Sequence, residues 1–200
     1  MSVARLLDAL SSSDPTPGGG TAAALAGAMG ASLLVMVTAL AKSRNNTDEE
    51  KAALGKARDM LAPLTADLAR LADADSESFN AVMAAYRLPK GSDDEKAARS
   101  RAIQDALRGA TIVPLDTLRT CADALAQAQA VAQHGNRSAA SDAGVAVALL
   151  RAAAAGAYAN VRANLDSIKD EGFKSTTDTE AARLSSAAEA DASAAMQALA

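Results

Sequence analysis

Pro17-Gly18-Gly19-Gly20-Thr21-Ala22-Ala23-Ala24-Leu25-Ala26-Gly27-Ala28-Met29-Gly30-Ala31 opens a stretch with no charged residue before Lys42. Alanine is the best helix former, so the part from about Gly19 to Arg44 is expected to be one helix. It is uncharged on every side, as the central helix of a bundle must be, or a helix covered by a partner subunit. By length it spans a bilayer. Its Ala, Gly, Ser and Thr content gains little from leaving water, and only Leu33-Leu34-Val35-Met36-Val37 is strongly apolar. A buried core helix is therefore expected rather than a membrane span. Gly18, Gly19 and Gly20 release the backbone just where the helix begins and let another group approach closely. The unpaired N–H groups and positive dipole end there suit an anion or a carbonyl oxygen. The other reading is that the glycines only bend the chain and permit close helix packing.

Composition points the same way. Half of the 200 residues are hydrophobic, yet only two Phe and two Tyr are aromatic and there is no Trp. Alanine dominates, supported by Leu, Glu, Lys, Arg and Gln. The expectation is an all-α fold in one domain over 1–200: an antiparallel helical bundle of long kinked helices, dimeric and closely packed because alanine lets axes approach. A net charge of −4 with no basic stripe argues against nucleic acid. The single cysteine, Cys121, excludes an intrachain disulfide and fits a reducing, cytoplasmic setting. One histidine and one cysteine make a zinc site improbable, and no Glu-x-x-His pair suggests a di-iron bundle, so no metal is expected. Met1-Ser2-Val3-Ala4-Arg5 lacks a signal peptide's apolar core.

Along the chain, a short helix near 2–12 is expected to break at Ser11-Ser12-Ser13-Asp14-Pro15. After the central helix, Thr47-Asp48-Glu49-Glu50 signals a new N-terminus. That third helix runs to about Leu88 with a kink near Pro63. Ser92-Asp93-Asp94-Glu95 caps the next, which reaches about Gln133 and is kinked by Pro114. His134-Gly135-Asn136 breaks the chain. Two more helices are expected over roughly 139–166 and 178–198, the last amphipathic and peripheral.

In the third helix Leu64, Leu68, Leu71, Asp75, Phe79, Val82 and Tyr86 follow spacings of three and four and form one stripe. Asp75 thus stands in an apolar seam while Asp73 and Glu77 point aside. A carboxylate there is costly unless paired or hydrogen-bonded, which leaves two readings: a proton-transfer group, or a structural Asp satisfied by a donor from another helix. In the fifth helix Asp142, Val145, Leu149, Ala153, Gly156, Asn160 and Asn164 share a face. The two amides are either interhelical hydrogen-bonders or readers of a heterocycle's donors and acceptors. Lys42 and Arg44, ending the central helix, are placed to meet a ligand carboxylate, or simply complement the dipole. His134, beside a glycine at a helix break, reads as a dipole partner rather than a base, and Cys121 as a small core residue.

These segments resemble the cyclodeaminase/cyclohydrolase family, which includes the C-terminal domain of formiminotransferase-cyclodeaminase and stand-alone bacterial methenyltetrahydrofolate cyclohydrolases. The resemblance rests on Pro17 to Ala31, Asp73-Ala74-Asp75-Ser76-Glu77-Ser78-Phe79, Tyr86-Arg87-Leu88-Pro89-Lys90 and Val113-Pro114-Leu115. It continues through Gly135-Asn136, Ser141-Asp142 and Gly156-Ala157-Tyr158-Ala159-Asn160-Val161 with Asn164, so it covers roughly 5–175 in collinear order. It implies an all-helical homodimer with its active site near the subunit interface and a tetrahydrofolate substrate, with no cofactor beyond that substrate. It assigns the catalytic carboxylate to the second acid of the Asp-x-Asp pair, here Asp75, the residue the seam had singled out. The residues expected to bind that substrate are Gly18, Gly19, Gly20, Lys42, Arg44, Asn136, Ser141, Asp142, Asn160 and Asn164. Lys42-Ser43-Arg44 departs from the deaminase pattern of an aromatic or small residue, then Gly and a base. With no formiminotransferase domain in the sequence, the expected activity is cyclohydrolase, opening 5,10-methenyltetrahydrofolate to 10-formyltetrahydrofolate. The alternatives are formiminotetrahydrofolate cyclodeaminase and a non-catalytic folate-binding helical dimer.

Overall fold

A computed structural model describes residues 2–40 and 46–200. These form six α-helices: α1 (Val3–Leu10), α2 (Gly19–Ala39), α3 (Asp48–Tyr86), α4 (Asp93–His134), α5 (Ala140–Leu165) and α6 (Glu171–Leu199), with one 3-10 turn at Arg137–Ala139. No strand occurs among the described residues, as the alanine-rich composition requires.

Local signals set most helix starts. Thr47 and Glu50 form a reciprocal capping box at α3, and Ser92 and Glu95 form another at α4. Ser2 caps α1 by accepting the Arg5 N–H at 3.3 Å. Pro63 and Pro114 lie inside helices that the backbone carries through. Pro114 cannot donate to the carbonyl of Ala110 four residues earlier. Asn164 of α5 fills that gap, its Nδ2 donating to the Ala110 carbonyl at 2.7 Å.

Small residues decide how the helices cross. A Cβ on Gly27 would meet Cys121 Sγ of α4 at 2.9 Å, and one on Gly30 would meet the Ala146 carbonyl of α5 at 2.7 Å. A Cβ on Gly156 would meet that of Ala23 at 3.2 Å, while Gly19 lies near Asn160. Rising positions on α2 thus face falling positions on α5, so these two run in opposite directions with their backbones close. Leu34, Leu61, Leu68, Leu115, Leu118, Leu125 and Leu150 fill the remaining volume, all fully buried. Cys121 is buried beside them, and burial pushes its thiol up to about 12.

Three expectations are corrected. The last helix starts at Glu171, not near 178, because Asp170 caps it by accepting the Phe173 N–H at 3.0 Å and ion-pairs with Arg108. Nor is α6 peripheral: it buries Thr177, Ala181, Leu184, Ala188, Ala192 and Ala195. Arg119 holds Glu180 at 2.7 Å, and Arg151 holds Glu189. Tyr86 leaves the α3 stripe and stands exposed with Arg99 over its ring, and Ala85 is buried in its place. Tyr86 is the last residue of α3, where the helical spacing ends.

Candidate active site

Gly18 is the N-cap of α2, in extended conformation and without a side chain to cap the helix. The carboxylate that does so comes from α3. Asp75 Oδ2 accepts the Thr21 N–H at 2.8 Å and lies 3.0 Å from the Thr21 hydroxyl. An ionised side chain on the third residue's N–H is favourable twice over, by charge-assisted hydrogen bonding and by the helix dipole. The approach is possible because Gly20 has no side chain: a Cβ there would lie 2.1 Å from Asp75 Oδ1 and 2.6 Å from Cγ. The glycine run and the seam carboxylate are therefore one construction.

The carboxylate borders a cavity of about 270 Å³ lined by Pro15, Thr16, Gly18, Gly19, Gly20, Asp75, Ser78, Phe79, Val82, Leu107, Ala110, Asn160 and Asn164. Asp75 is the one charged side chain in that lining, and Phe79, Val82 and Leu107 supply an apolar wall. Such a chamber suits a flat, partly apolar ligand that carries positive charge where it meets Asp75. Asn160 and Asn164 use their amide N–H groups on the Gly156 carbonyl, at 2.9 Å, and the Ala110 carbonyl. Each keeps its Oδ1 as an acceptor. Among the described residues, no three His, Cys, Asp or Glu side chains cluster as metal ligands would.

The structure thus brings together Gly18, Gly19, Gly20, Asp75, Asn160 and Asn164. Asn136, Ser141 and Asp142 are not in the lining of that cavity. Asp142 precedes Asn160 by eighteen residues on the continuous helix α5, about 27 Å along its axis. Asn136 caps the 3-10 turn by accepting the Ser138 N–H at 2.9 Å, and borders a separate hollow with Val37 and Val131. Lys42 and Arg44 lie outside the described residues. His134 ends α4 with its ring 3.6 Å from Glu50, away from the cavity. Thr21 and Ser78 were missed from the sequence; Thr21 adjoins the glycine run, but nothing local shows that its donors face another helix.

Residues 2–183 match the family model described as formiminotransferase-cyclodeaminase. A methenyltetrahydrofolate cyclohydrolase of Methylorubrum extorquens is 45% identical over 167 residues, which cover 84% of this chain and 80% of that protein. Formimidoyltransferase-cyclodeaminase of Rattus norvegicus is 37% identical over 80% of this chain, which spans 30% of the rat protein's length. The crystal structure of formiminotetrahydrofolate cyclodeaminase from Thermotoga maritima superposes with a TM-score of 0.87 at 28% identity, covering 100% of this chain and 96% of that one. With a matched model over most of its length and a close relative matched nearly end to end, this chain belongs to the formiminotransferase-cyclodeaminase family.

Proposed function

We propose that this protein is a methenyltetrahydrofolate cyclohydrolase, an enzyme that opens the 5,10-methenyl bridge of tetrahydrofolate to give 10-formyltetrahydrofolate. The observation that carries the reading is a lone carboxylate facing an otherwise uncharged chamber at a helix N-terminus. The 45% identity to a named cyclohydrolase favours this chemistry over the deaminase.

The bridge carbon of the substrate is an amidinium carbon and already electrophilic, so water attack needs neither a metal nor a redox cofactor. Asp75 accepts one proton from the attacking water as the C–O bond forms, and returns it to N5 as the C–N5 bond breaks. The second proton of that water leaves to solvent when the C=O closes. The carboxylate also offsets the cationic charge of the bound substrate. The Gly18–Gly20 backbone and the Oδ1 atoms of Asn160 and Asn164 meet the polar edges of the ring system, and Phe79 and Val82 its faces. The relation of α2 to α5 extends to an antiparallel, proline-kinked bundle forming one domain.

The assembly is a homodimer. On α2, Met29, Ser32, Met36 and Ala39, with Leu40 just after the helix, form an outward stripe with no charge; Met29 is 55 % and Leu40 40 % exposed. Beside it α5 presents Val145, Ala148, Ala152, Ala155 and Ala159. Both helices are long and apolar enough to cross a membrane. The outer face of α5 is mostly alanine, which gains little from leaving water for lipid, so the two faces suit a second protein surface better than a bilayer, and neither suits nucleic acid. The lone buried thiol fits a cytoplasmic enzyme.

The second reading, formiminotetrahydrofolate cyclodeaminase, is favoured by the close superposition on the Thermotoga enzyme. In that reaction N10 attacks and ammonia leaves. The test is to follow loss of methenyl absorbance and release of ammonia from formiminotetrahydrofolate on the same preparation. The cyclohydrolase reading expects at least about tenfold higher kcat/KM for the methenyl substrate, roughly 1.4 kcal/mol of transition-state preference. Equal or reversed rates establish the deaminase, and binding without turnover of either folate establishes a non-catalytic carrier.

A further inference from the structure

The two oxygens of Asp75 are not equivalent. Oδ2 lies 2.8 Å from the Thr21 N–H and 3.0 Å from the Thr21 hydroxyl. Oδ1 has no donor among the described residues and faces the space where a Gly20 side chain would stand. A hydroxyl has one proton to give. Thr21 Oγ1 also lies 3.3 Å from the Ala72 carbonyl and 3.3 Å from Ser76 Oγ. The shorter contact is the one to an ionised oxygen, which draws the proton more strongly than a neutral carbonyl. That leaves Ser76 to donate to Thr21 Oγ1. The Thr21 side chain is 6 % exposed and its hydroxyl is held by three neighbours, so it does not turn freely.

We infer that Thr21 is the positioning residue of the reaction: its N–H and O–H lock Asp75 Oδ2 and so reserve Oδ1 as the oxygen that takes the proton from water. The inference rests on the cyclohydrolase reading and adds a residue and an orientation to it. A proton placed on Oδ2 would have to displace one of two donors already aimed there, whereas a proton on Oδ1 displaces none. Thr21 therefore fixes both which oxygen reacts and the plane of the carboxylate. Gly20, lacking a side chain, leaves the room that Oδ1 occupies, and Thr21 holds Oδ2. Neither the helix terminus nor the carboxylate alone would achieve this, because an Asp fixed by one donor still rotates about its Cβ–Cγ bond.

The test compares Thr21→Val and Thr21→Ser with the wild type. Valine keeps the branched shape and the backbone N–H but removes the hydroxyl; serine keeps the hydroxyl and loses a methyl group. Steady-state loss of methenyl absorbance gives kcat and KM, and a thermal melt checks the fold. The expected result is a folded Thr21→Val variant with kcat about ten- to a hundredfold lower and KM within about twofold, because ground-state binding is untouched while base orientation is lost. Thr21→Ser should restore kcat to within about threefold of wild type. Wild-type kcat in Thr21→Val overturns the inference and leaves the cyclohydrolase reading standing. So does a loss of kcat that serine fails to restore, since packing would then be the role of Thr21. A wild-type enzyme that turns over no methenyl substrate overturns both. If Thr21→Val does not fold, a wild-type crystal structure with a bound folate decides: the reacting carbon nearer Oδ1 supports the inference, and nearer Oδ2 refutes it.

Discussion

Replacing Gly20 by alanine should slow turnover about a hundredfold while leaving a folded protein. The added Cβ would lie 2.1 Å from Asp75 Oδ1, 2.6 Å from Cγ and 2.8 Å from Oδ2. Reaching an ordinary non-bonded separation of roughly 3.5 Å moves the carboxylate by about 1.4 Å. That displacement takes Oδ2 beyond hydrogen-bond range of the Thr21 N–H, now at 2.8 Å. A misplacement of about 1 Å costs on the order of 10²-fold in rate, or about 2.7 kcal/mol of transition-state stabilisation. Stability changes less, because the loss of a charge-assisted cap, about 1.5–3 kcal/mol, is partly offset by the 0.5–1 kcal/mol that alanine gains over glycine in a helix. At about 2–4 °C per kcal/mol for a chain of this size, Tm should fall by only a few degrees. Gly55→Ala, in α3, is the control, since a Cβ there meets nothing within 4 Å. Loss of methenyl absorbance and a circular-dichroism melt on both variants are the assays. A Gly20→Ala enzyme within about threefold of wild-type kcat/KM would refute the argument that Asp75 must occupy this position.

Asp75→Asn keeps the shape but removes the proton acceptor, so turnover should fall about 10²-fold or more, and Tm should fall slightly because an uncharged cap suits the α2 N-terminus less well; retained activity in the same assay would make Asp75 structural only. Met29→Arg and Val145→Arg place charge on the outer faces of α2 and α5, and light scattering should show a dimer for the wild type and monomer or aggregate for the variants. Cys121, buried with its thiol pushed up to about 12, should resist alkylation at pH 8 in the native protein and react on unfolding, as mass spectrometry would show. The Arg119 guanidinium holds the Glu180 carboxyl below its usual range. Its contribution is therefore present above the ordinary glutamate range and lost as pH falls through the lowered folded value, so melts of Glu180→Gln between pH 7 and 3 should lose that part of the acid dependence.

Helix content and most helix boundaries were legible because their causes are local. The Thr47/Glu50 and Ser92/Glu95 boxes and the alanine-rich interiors act within a few residues. Asp75 was legible as an anomaly, since a carboxylate in a three-and-four apolar stripe is visible without coordinates. What satisfies it was not: the Thr21 donors stand fifty-four residues away in the chain. The start of α6 was missed because Ser175, Thr176 and Thr177 are weak helix formers, and an Arg108–Asp170 pair formed only in three dimensions holds the cap. Asn164 and Pro114 read as separate features until packing placed the amide on the carbonyl that proline leaves unpaired. On α5, Asp142 and Asn160 share a face but stand eighteen residues apart, and periodicity reports a face without the axial distance along it. Periodicity and capping report what a helix is and which side it buries. The register between helices is set by which small residues let neighbours come close, Gly27 to Leu68 and Cys121 and Gly30 to Ala146, and no local signal shows that Gly20 meets Asp75.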